Sequence, residues 1–172
     1  FIQLPMIKQK IVFFTEADEK IGLGHLNRIY NLSNYLSKKT FFSPILVTNK
    51  NNFVQKINSK RGIKIIIFNK SSKKKILEIL KKNNSKILIT DISYEKYLKK
   101  NSSFLKNFFS FFKKRNICTI SFDDPFQNIF SDYSIIPYNI KNFRNIKRFK
   151  SLNNKKIFTG IKYLPIEPII TK

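Results

Sequence analysis

The segment EKIGLGHLNRIYNL, residues 19–32, gathers the residue types best suited to chemistry in this chain. The sequence contains four glycines and one histidine, and Gly22 and Gly24 come just before that histidine, His25. Glycines allow a tight turn and a close approach to a ligand, and a helix beginning here places His25 in its first turn. The positive end of a helix disfavours a protonated imidazole. His25 is therefore a candidate general base; the alternative is a histidine that only caps the helix.

Arg28 follows His25 by three residues, which puts both side chains on one side of a helix. It is a candidate to hold a phosphate or to fix the loop acids Glu16 and Asp18; the alternative is an ordinary surface arginine. Asn27 stands where the G-x-G-x-x-G dinucleotide fingerprint needs its third glycine, and no Gly-Lys-Ser/Thr of a Walker loop follows. The segment thus predicts a ligand site at a helix start without either common nucleotide motif.

Further candidates follow apolar runs later in the chain. Asp91 ends the run KILITD and Tyr94 comes soon after it, while Asp123 and Asp124 follow TISF. The aspartate pair is a candidate to orient His25 or to contact a sugar hydroxyl, and one of the two to cap the turn that DPF begins. The chain has one histidine, one cysteine and no dense carboxylate cluster, so we expect no metal site and no cofactor.

Apolar strands alternate with helical segments along the chain. Strand patterns occur in IKQKIVFFTE, FFSPILVTNK, IKIIIFN, KILITD and ICTISFDD, and shorter ones in SDYSIIPYNI and KKIFTG. Helical patterns occur in HLNRIYNLSNYLSKK, NNFVQKINSKRG, SSKKKILEILKKNNS and YEKYLKKNSSFLKNFFSFFKKRN. The alternation predicts an α/β fold, a Rossmann-like parallel sheet with helices on both faces. In such sheets the ligand crevice lies beyond the carboxyl ends of the strands, where the candidate residues fall.

The formal net charge of +24 would ordinarily indicate nucleic acid or an anionic surface as partner. Lys, Asn, Ile and Phe are abundant together, however, which indicates AT-rich coding bias, and the lysines are spread over helix flanks and turns. The Phe-rich run FLKNFFSFF is more typical of a buried helix face than of a base-stacking platform. We therefore do not expect nucleic acid as the partner; a non-catalytic basic nucleic-acid-binding module stays the alternative outside the enzyme class.

The apolar runs are too short to span a membrane, and no signal-peptide pattern is visible. We therefore expect a cytoplasmic protein. The single Cys118 lies in the apolar run NICTISF and is predicted to be a buried small hydrophobic residue without a redox role.

The order of landmarks along the chain resembles a known enzyme family. IGLGH with Arg28, then LITD, ISFDD, IIPYNI and FTGIKYLPI resemble the N-terminal domain of the UDP-sugar hydrolases of pseudaminic acid biosynthesis. Those enzymes act on UDP-2,4-diacetamido-2,4,6-trideoxy-β-L-altropyranose, and related spore-coat polysaccharide proteins share the landmarks. Both are similar in fold to two-domain GT-B glycosyltransferases, including the lipid II-forming N-acetylglucosaminyltransferase. The resemblance covers about residues 10–166, and its most specific element is G-x-G-H-x-x-R.

The resemblance implies a metal-free hydrolysis that releases UDP from the anomeric carbon of the sugar with inversion, with His25 as the base that activates water. The family's strand-end D-x-Y maps to Asp91 and, one residue later than in the family, to Tyr94. The expected substrate-binding set is Gly22, Gly24, Arg28, Asp91, Tyr94, Asp123 and Asp124. A glycosyltransferase of the same fold, in which an acceptor hydroxyl replaces water, stays an open alternative.

The same resemblance implies a domain organisation. Residues 6–165 are expected to form the Rossmann-like N-terminal domain, 1–5 a leader of unknown role, and 166–172 the start of a linker. The second domain, which grips most of the UDP in the family, is expected to be absent from this chain. A C-terminal domain on a separate chain is then an expected partner besides the UDP-sugar. We expect a fragment, a split half or a decayed reading frame, with weak or no activity alone.

Overall fold

The computed structural model describes residues 8–16, 23–39, 41–50, 54, 63–69, 72–93, 102–122, 130–137 and 157–159 of the chain. Its strands are β1 (Gln9–Thr15), β2 (Phe42–Asn49), β3 (Lys64–Phe68), β4 (Ile87–Asp91), β5 (Cys118–Phe122), β6 (Tyr133–Ile136) and β7 (Ile157–Thr159). Its helices are α1 (Gly24–Lys39), α2 (Lys73–Lys82) and α3 (Ser102–Lys113). Each lies in a segment where the sequence predicts that element. The helix predicted in NNFVQKINSKRG falls outside the described residues, except for Val54.

The strands form one parallel sheet in the order β3-β2-β1-β4-β5-β6-β7. This confirms the predicted α/β fold with a Rossmann-like parallel sheet. The chain moves outward from β1 to β2 and β3 and then crosses back, so that β4 pairs with the other side of β1. A ligand crevice forms at such a reversal of strand order, outside the carboxyl ends of the strands. Here that point lies at Thr15 and Asp91, which are paired in register.

Helix α1 covers one face of the sheet. Successive strand residues point to opposite faces, and β1 sends Ile11 and Phe13 to the face where they cluster with α1. The helix contributes side chains at helical spacing, namely Leu26, Ile29 and Tyr30, all of them buried. Burial of each large apolar side chain contributes about 1.5–3 kcal/mol, so this packing fixes α1 against the strands and places its first turn at their carboxyl ends.

Helices α2 and α3 cover the opposite face. The Phe-rich α3 buries Leu105, Phe108, Phe109 and Phe112, and the rings of Phe108 and Phe14 lie 6.2 Å apart between centroids. The prediction that FLKNFFSFF forms a buried helix face is therefore confirmed, although Phe104 at its edge stays 42% exposed. None of the helices in the described part of the chain is long and apolar enough to cross a membrane.

Capping residues at both ends explain where helix α2 begins and ends. Ser72 caps its start, as the serines of SSKKK predict, because the hydroxyl accepts a hydrogen bond from the amide of Lys75 at 3.3 Å. The helix stops at Asn83, and Asn84 takes the left-handed conformation with φ of 49°. Asparagine tolerates that conformation better than most residues. The chain then turns directly into β4, which carries Asp91 to the crevice.

Cys118, the first residue of β5, is only partly buried. The prediction of a buried residue is therefore wrong, since Cys118 is of intermediate burial at the start of its strand. Its partial burial, and then the nearby carboxylate of Asp132, raise the pKa of the Cys118 thiol. Both effects disfavour the thiolate, which is the reactive form of cysteine.

Candidate active site at the β1–β4 crevice

His25 is the second residue of α1, directly after Gly24. This agrees with the prediction that the glycine segment brings the histidine into the first turn of a helix. A β-carbon added to Gly24 would meet no atom within 4 Å, so its neighbours among the described residues do not demand a glycine. The open space over this helix start is consistent with the predicted close approach of a ligand. Gly22 lies outside the described residues.

The carboxylate of Asp91, the last residue of β4, binds both functional side chains of α1. Asp91 is 0% exposed. Its Oδ1 lies 2.6 Å from His25 Nδ1, and Arg28 donates to it twice, from Nε to Oδ2 at 2.6 Å and from Nη2 to Oδ1 at 2.8 Å. A buried carboxylate needs such partners, because an isolated buried charge is strongly unfavourable. The bidentate Arg28 offsets the charge of Asp91 and fixes the plane of its carboxylate.

The contacts of His25 Nδ1 determine its tautomer. The nitrogen lies 2.6 Å from Asp91 Oδ1 and 3.0 Å from Arg28 Nη2. A carboxylate oxygen only accepts and a guanidinium only donates, so Nδ1 can form one of these bonds and not both. A bare Nδ1 lone pair facing the carboxylate at the shorter distance would be repelled. Nδ1 therefore carries the proton and donates to Asp91, which leaves Nε2 with the lone pair in the neutral ring.

The site keeps His25 accessible while it buries the groups behind the ring. The side chain of His25 is 21% exposed, against 14% for Arg28 and 0% for Asp91. In the described part of the chain, no hydrogen bond involves Nε2 of His25. The ring is held by Asp91, so the alternative of a histidine that only caps its helix does not describe the structure. The arrangement leaves Nε2 as the ring nitrogen able to accept a proton when the ring is neutral.

Arg28 is held from a second side by Phe122, the last residue of β5. The guanidinium carbon lies 5.3 Å from the centroid of the Phe122 ring, within the range of a cation–π contact. The alternative of an ordinary surface arginine is therefore wrong. Glu16, the other acid proposed for Arg28, is also buried, and Asp18 lies outside the described residues. The prediction that Arg28 binds these loop acids or a phosphate stays a prediction.

Two threonines continue the site along the sheet. Thr15 pairs in register with Asp91 on one side and with Thr48 of β2 on the other, so the three side chains share the α1 face. Both threonines are buried, and neither hydroxyl has a hydrogen-bond partner among the residues that the structure describes. Neither threonine is among the candidates that the sequence predicts. The available signal was a lone polar residue at the end of each apolar run, IVFFT and PILVT.

The remaining predicted residues, Tyr94, Asp123 and Asp124, lie outside the described residues, and their substrate-binding roles stay predictions. The orientation of His25, for which the sequence proposed Asp123 or Asp124, is supplied by Asp91. Within the described ranges, no three side chains of His, Cys, Asp and Glu gather as a metal ion would require.

No protein-family model matches this sequence, and no curated protein matches it. The residues of the crevice and the landmarks along the chain are therefore the basis on which a function can be assigned.

Proposed function

We propose that this domain carries the catalytic base of a UDP-sugar hydrolase. The reaction is the release of UDP from the anomeric carbon of a UDP-linked deoxy amino sugar, in nonulosonic (pseudaminic) acid or surface polysaccharide biosynthesis. The observation that supports it most is the 2.6 Å contact between His25 Nδ1 and Asp91 Oδ1 at the reversal of strand order. A histidine held through Nδ1 by a buried carboxylate is a common form of general base. The G-x-G-H-x-x-R resemblance supports the substrate class.

In the proposed step, a water oxygen attacks the anomeric carbon from the side opposite UDP. One water proton passes to His25 Nε2, the bond between the anomeric carbon and the UDP oxygen breaks, and UDP leaves with the electron pair. The configuration at that carbon is inverted. Asp91 stabilises the imidazolium that forms, and Arg28 holds Asp91 in place. General-base catalysis of this kind contributes about 10²–10⁴-fold in rate, so other binding interactions must supply the rest.

The test measures UDP release by phosphorus NMR under single-turnover conditions, with the protein in excess over the UDP-linked diacetamido sugar. His25→Asn should lower the rate at least about 100-fold, because it removes the proton acceptor. Asn27→Ala is the matched control, since Asn27 is exposed on the same helical turn, and it should leave the rate unchanged. A glycosyltransferase would instead show release only after an acceptor alcohol is added.

Binding gives a second readout of the same proposal. The chain has one histidine, so the side-chain imidazole signals in a nitrogen NMR spectrum belong to His25. They should shift on addition of the UDP-sugar, together with the amides around Gly24. If neither responds and the protein instead binds DNA or RNA tightly and in a salt-dependent way, the basic-module alternative replaces the hydrolase.

A further inference from the structure

We infer that the hydroxyls of Thr15 and Thr48 form a neutral hydrogen-bonding subsite beside Asp91, and that it binds a hydroxyl or acetamido substituent of the sugar. The inference rests on the proposed function and extends it to the part of the substrate that this domain recognises. Neither threonine belongs to the G-x-G-H-x-x-R element, and neither contacts His25 or Arg28 through a hydrogen bond in the described residues.

The two threonines and Asp91 form a row across three adjacent strands. Asp91 pairs with Thr15, and Thr15 pairs with Thr48. Register partners in a parallel sheet send their side chains to the same face, here the face that α1 covers. Neighbouring strands lie about 4.8 Å apart, so the row extends about 10 Å from Asp91. Asp91, at one end of the row, holds the proposed base His25. The row is long enough for the threonines to reach substituents on a pyranose ring.

The threonine hydroxyls are costly unless something binds them. A buried hydroxyl without a partner destabilises a protein by about 1–3 kcal/mol. Valine has the same branched shape, suits a strand equally well and would avoid that cost. Thr15 and Thr48 are both 0% exposed, and their Oγ1 atoms have no partner in the described part of the chain. Two such groups side by side at the crevice indicate an occupant that supplies the missing bonds.

The chemistry of the row favours a neutral polar group over a phosphate. Both oxygens of Asp91 are already bound by His25 and Arg28, so the pair of hydroxyls is what remains to bind a ligand along the row. Hydroxyls both donate and accept, which matches sugar hydroxyls and the amide of an acetamido group. A phosphate is better matched by charged donors such as arginine or by the backbone amides of a helix start, and the row offers neither. The other possible occupant is a buried water molecule.

The test uses methyl-labelled threonine and titrates three probes, N-acetylglucosamine, UDP and UDP-N-acetylglucosamine. The methyl signals of Thr15 and Thr48 should shift with the two sugar-containing probes and not with UDP alone. Thr119 is an internal reference, because its hydroxyl is already bonded to Asp132. Thr15→Val and Thr48→Val should each weaken binding of UDP-N-acetylglucosamine about 10-fold, the loss expected from about 1.4 kcal/mol, with the affinity for UDP unchanged.

The outcomes separate this inference from the proposed function. If His25 responds to UDP-N-acetylglucosamine but the threonine methyls do not, and both valine variants bind as tightly as the wild type, the hydroxyls hold only a buried water and the inference is overturned. If neither His25 nor the threonines respond to any probe, the proposed function fails as well. A folding defect cannot mimic the expected result, because unfolding would abolish UDP binding together with sugar binding.

Discussion

Two regions of the sheet contain groups of buried hydroxyls, and the two groups differ in their hydrogen bonding. Between β5 and β6, Ser121 bonds to Ser131 at 2.9 Å and to Ser134 at 3.0 Å. Nearby, the hydroxyl of Thr119 donates to Asp132 Oδ2 at 2.9 Å and accepts from the Asp132 amide at 3.1 Å. Between β1 and β2, by contrast, Thr15 and Thr48 have no such partners among the described residues. Thr119 is the same residue type as Thr15 and Thr48 and is almost equally buried, at 1% exposed against 0%.

The difference separates a structural use of hydroxyls from a use in binding. The β5–β6 group forms its hydrogen bonds within itself and so links the two strands. The β1–β2 pair leaves its bonding capacity unused, and it does so beside the proposed base. Ser33 of α1 also has a buried hydroxyl without a partner among the described residues, so the β1–β2 pair is distinguished by its position at the crevice and by its two adjacent hydroxyls.

The largest effect is expected at Asp91, which shares the row of Thr15 and Thr48 but has its hydrogen bonds satisfied. Asp91→Ala should lower the free energy of unfolding by about 3 kcal/mol, because Arg28 and His25 both lose the buried carboxylate that they contact. Urea unfolding followed by circular dichroism measures the loss. The double variant Asp91→Ala/Arg28→Met should be more stable than Asp91→Ala alone. Strictly additive losses would show that the two side chains are not coupled.

A smaller loss is expected from Thr119→Val in the satisfied region. The change keeps the shape of the side chain and removes a hydroxyl that both donates and accepts. It should cost about 1–2 kcal/mol, because Asp132 loses one donor and its amide loses an acceptor. The same urea titration measures the change. An unchanged midpoint would mean that the β5–β6 hydrogen bonds contribute nothing to stability, and the comparison between the two regions would then lose its reference.

The smallest effect, and the one of opposite sign, is expected from Thr48→Val. The same chemical change here removes a hydroxyl without a partner, so the ligand-free protein should become more stable by about 1 kcal/mol. Thr119→Val is the matched control, since both positions are buried strand threonines. A loss of stability at Thr48 would show that its hydroxyl is satisfied in solution, and the contrast between the regions would disappear.

Much of the fold was predictable because strands and helices are local. Runs such as KILITD and FLKNFFSFF carry their own periodicity, and a Ser before KKKIL marks a helix start. Strand–helix alternation then requires parallel pairing. No local sequence run predicts that β4 lies beside β1. That position depends on which edge of the sheet the chain returns to after β3. The pairing of Thr15 with Asp91 was therefore out of reach from sequence alone.

The sequence predicts which residues belong to the site better than it predicts which of them contact each other. His25 and Arg28 lie within one segment, so their proximity follows from helical spacing. Their joint partner Asp91 is predicted as a strand-end acid and through the resemblance, but the sequence makes Asp123 and Asp124 the candidates to orient His25 or to contact a sugar hydroxyl. All three aspartates follow apolar runs in the sequence, and it is the strand order that brings the end of β4, with Asp91, to α1.

The contact between His25 and Asp91 joins residues 66 positions apart, and this separation affects the order in which the protein folds. Helix α1 can form from its own residues, whereas the contact needs β4 to reach β1 after β2 and β3 have been passed. Parallel pairing between such distant segments is a slow event in folding. A refolding chain would therefore form the His25–Asp91 contact late, and the native His25 ring signal, followed in real time, should appear with the slowest phase. Completion of the sheet, rather than formation of the helix, is then the step that assembles the candidate site.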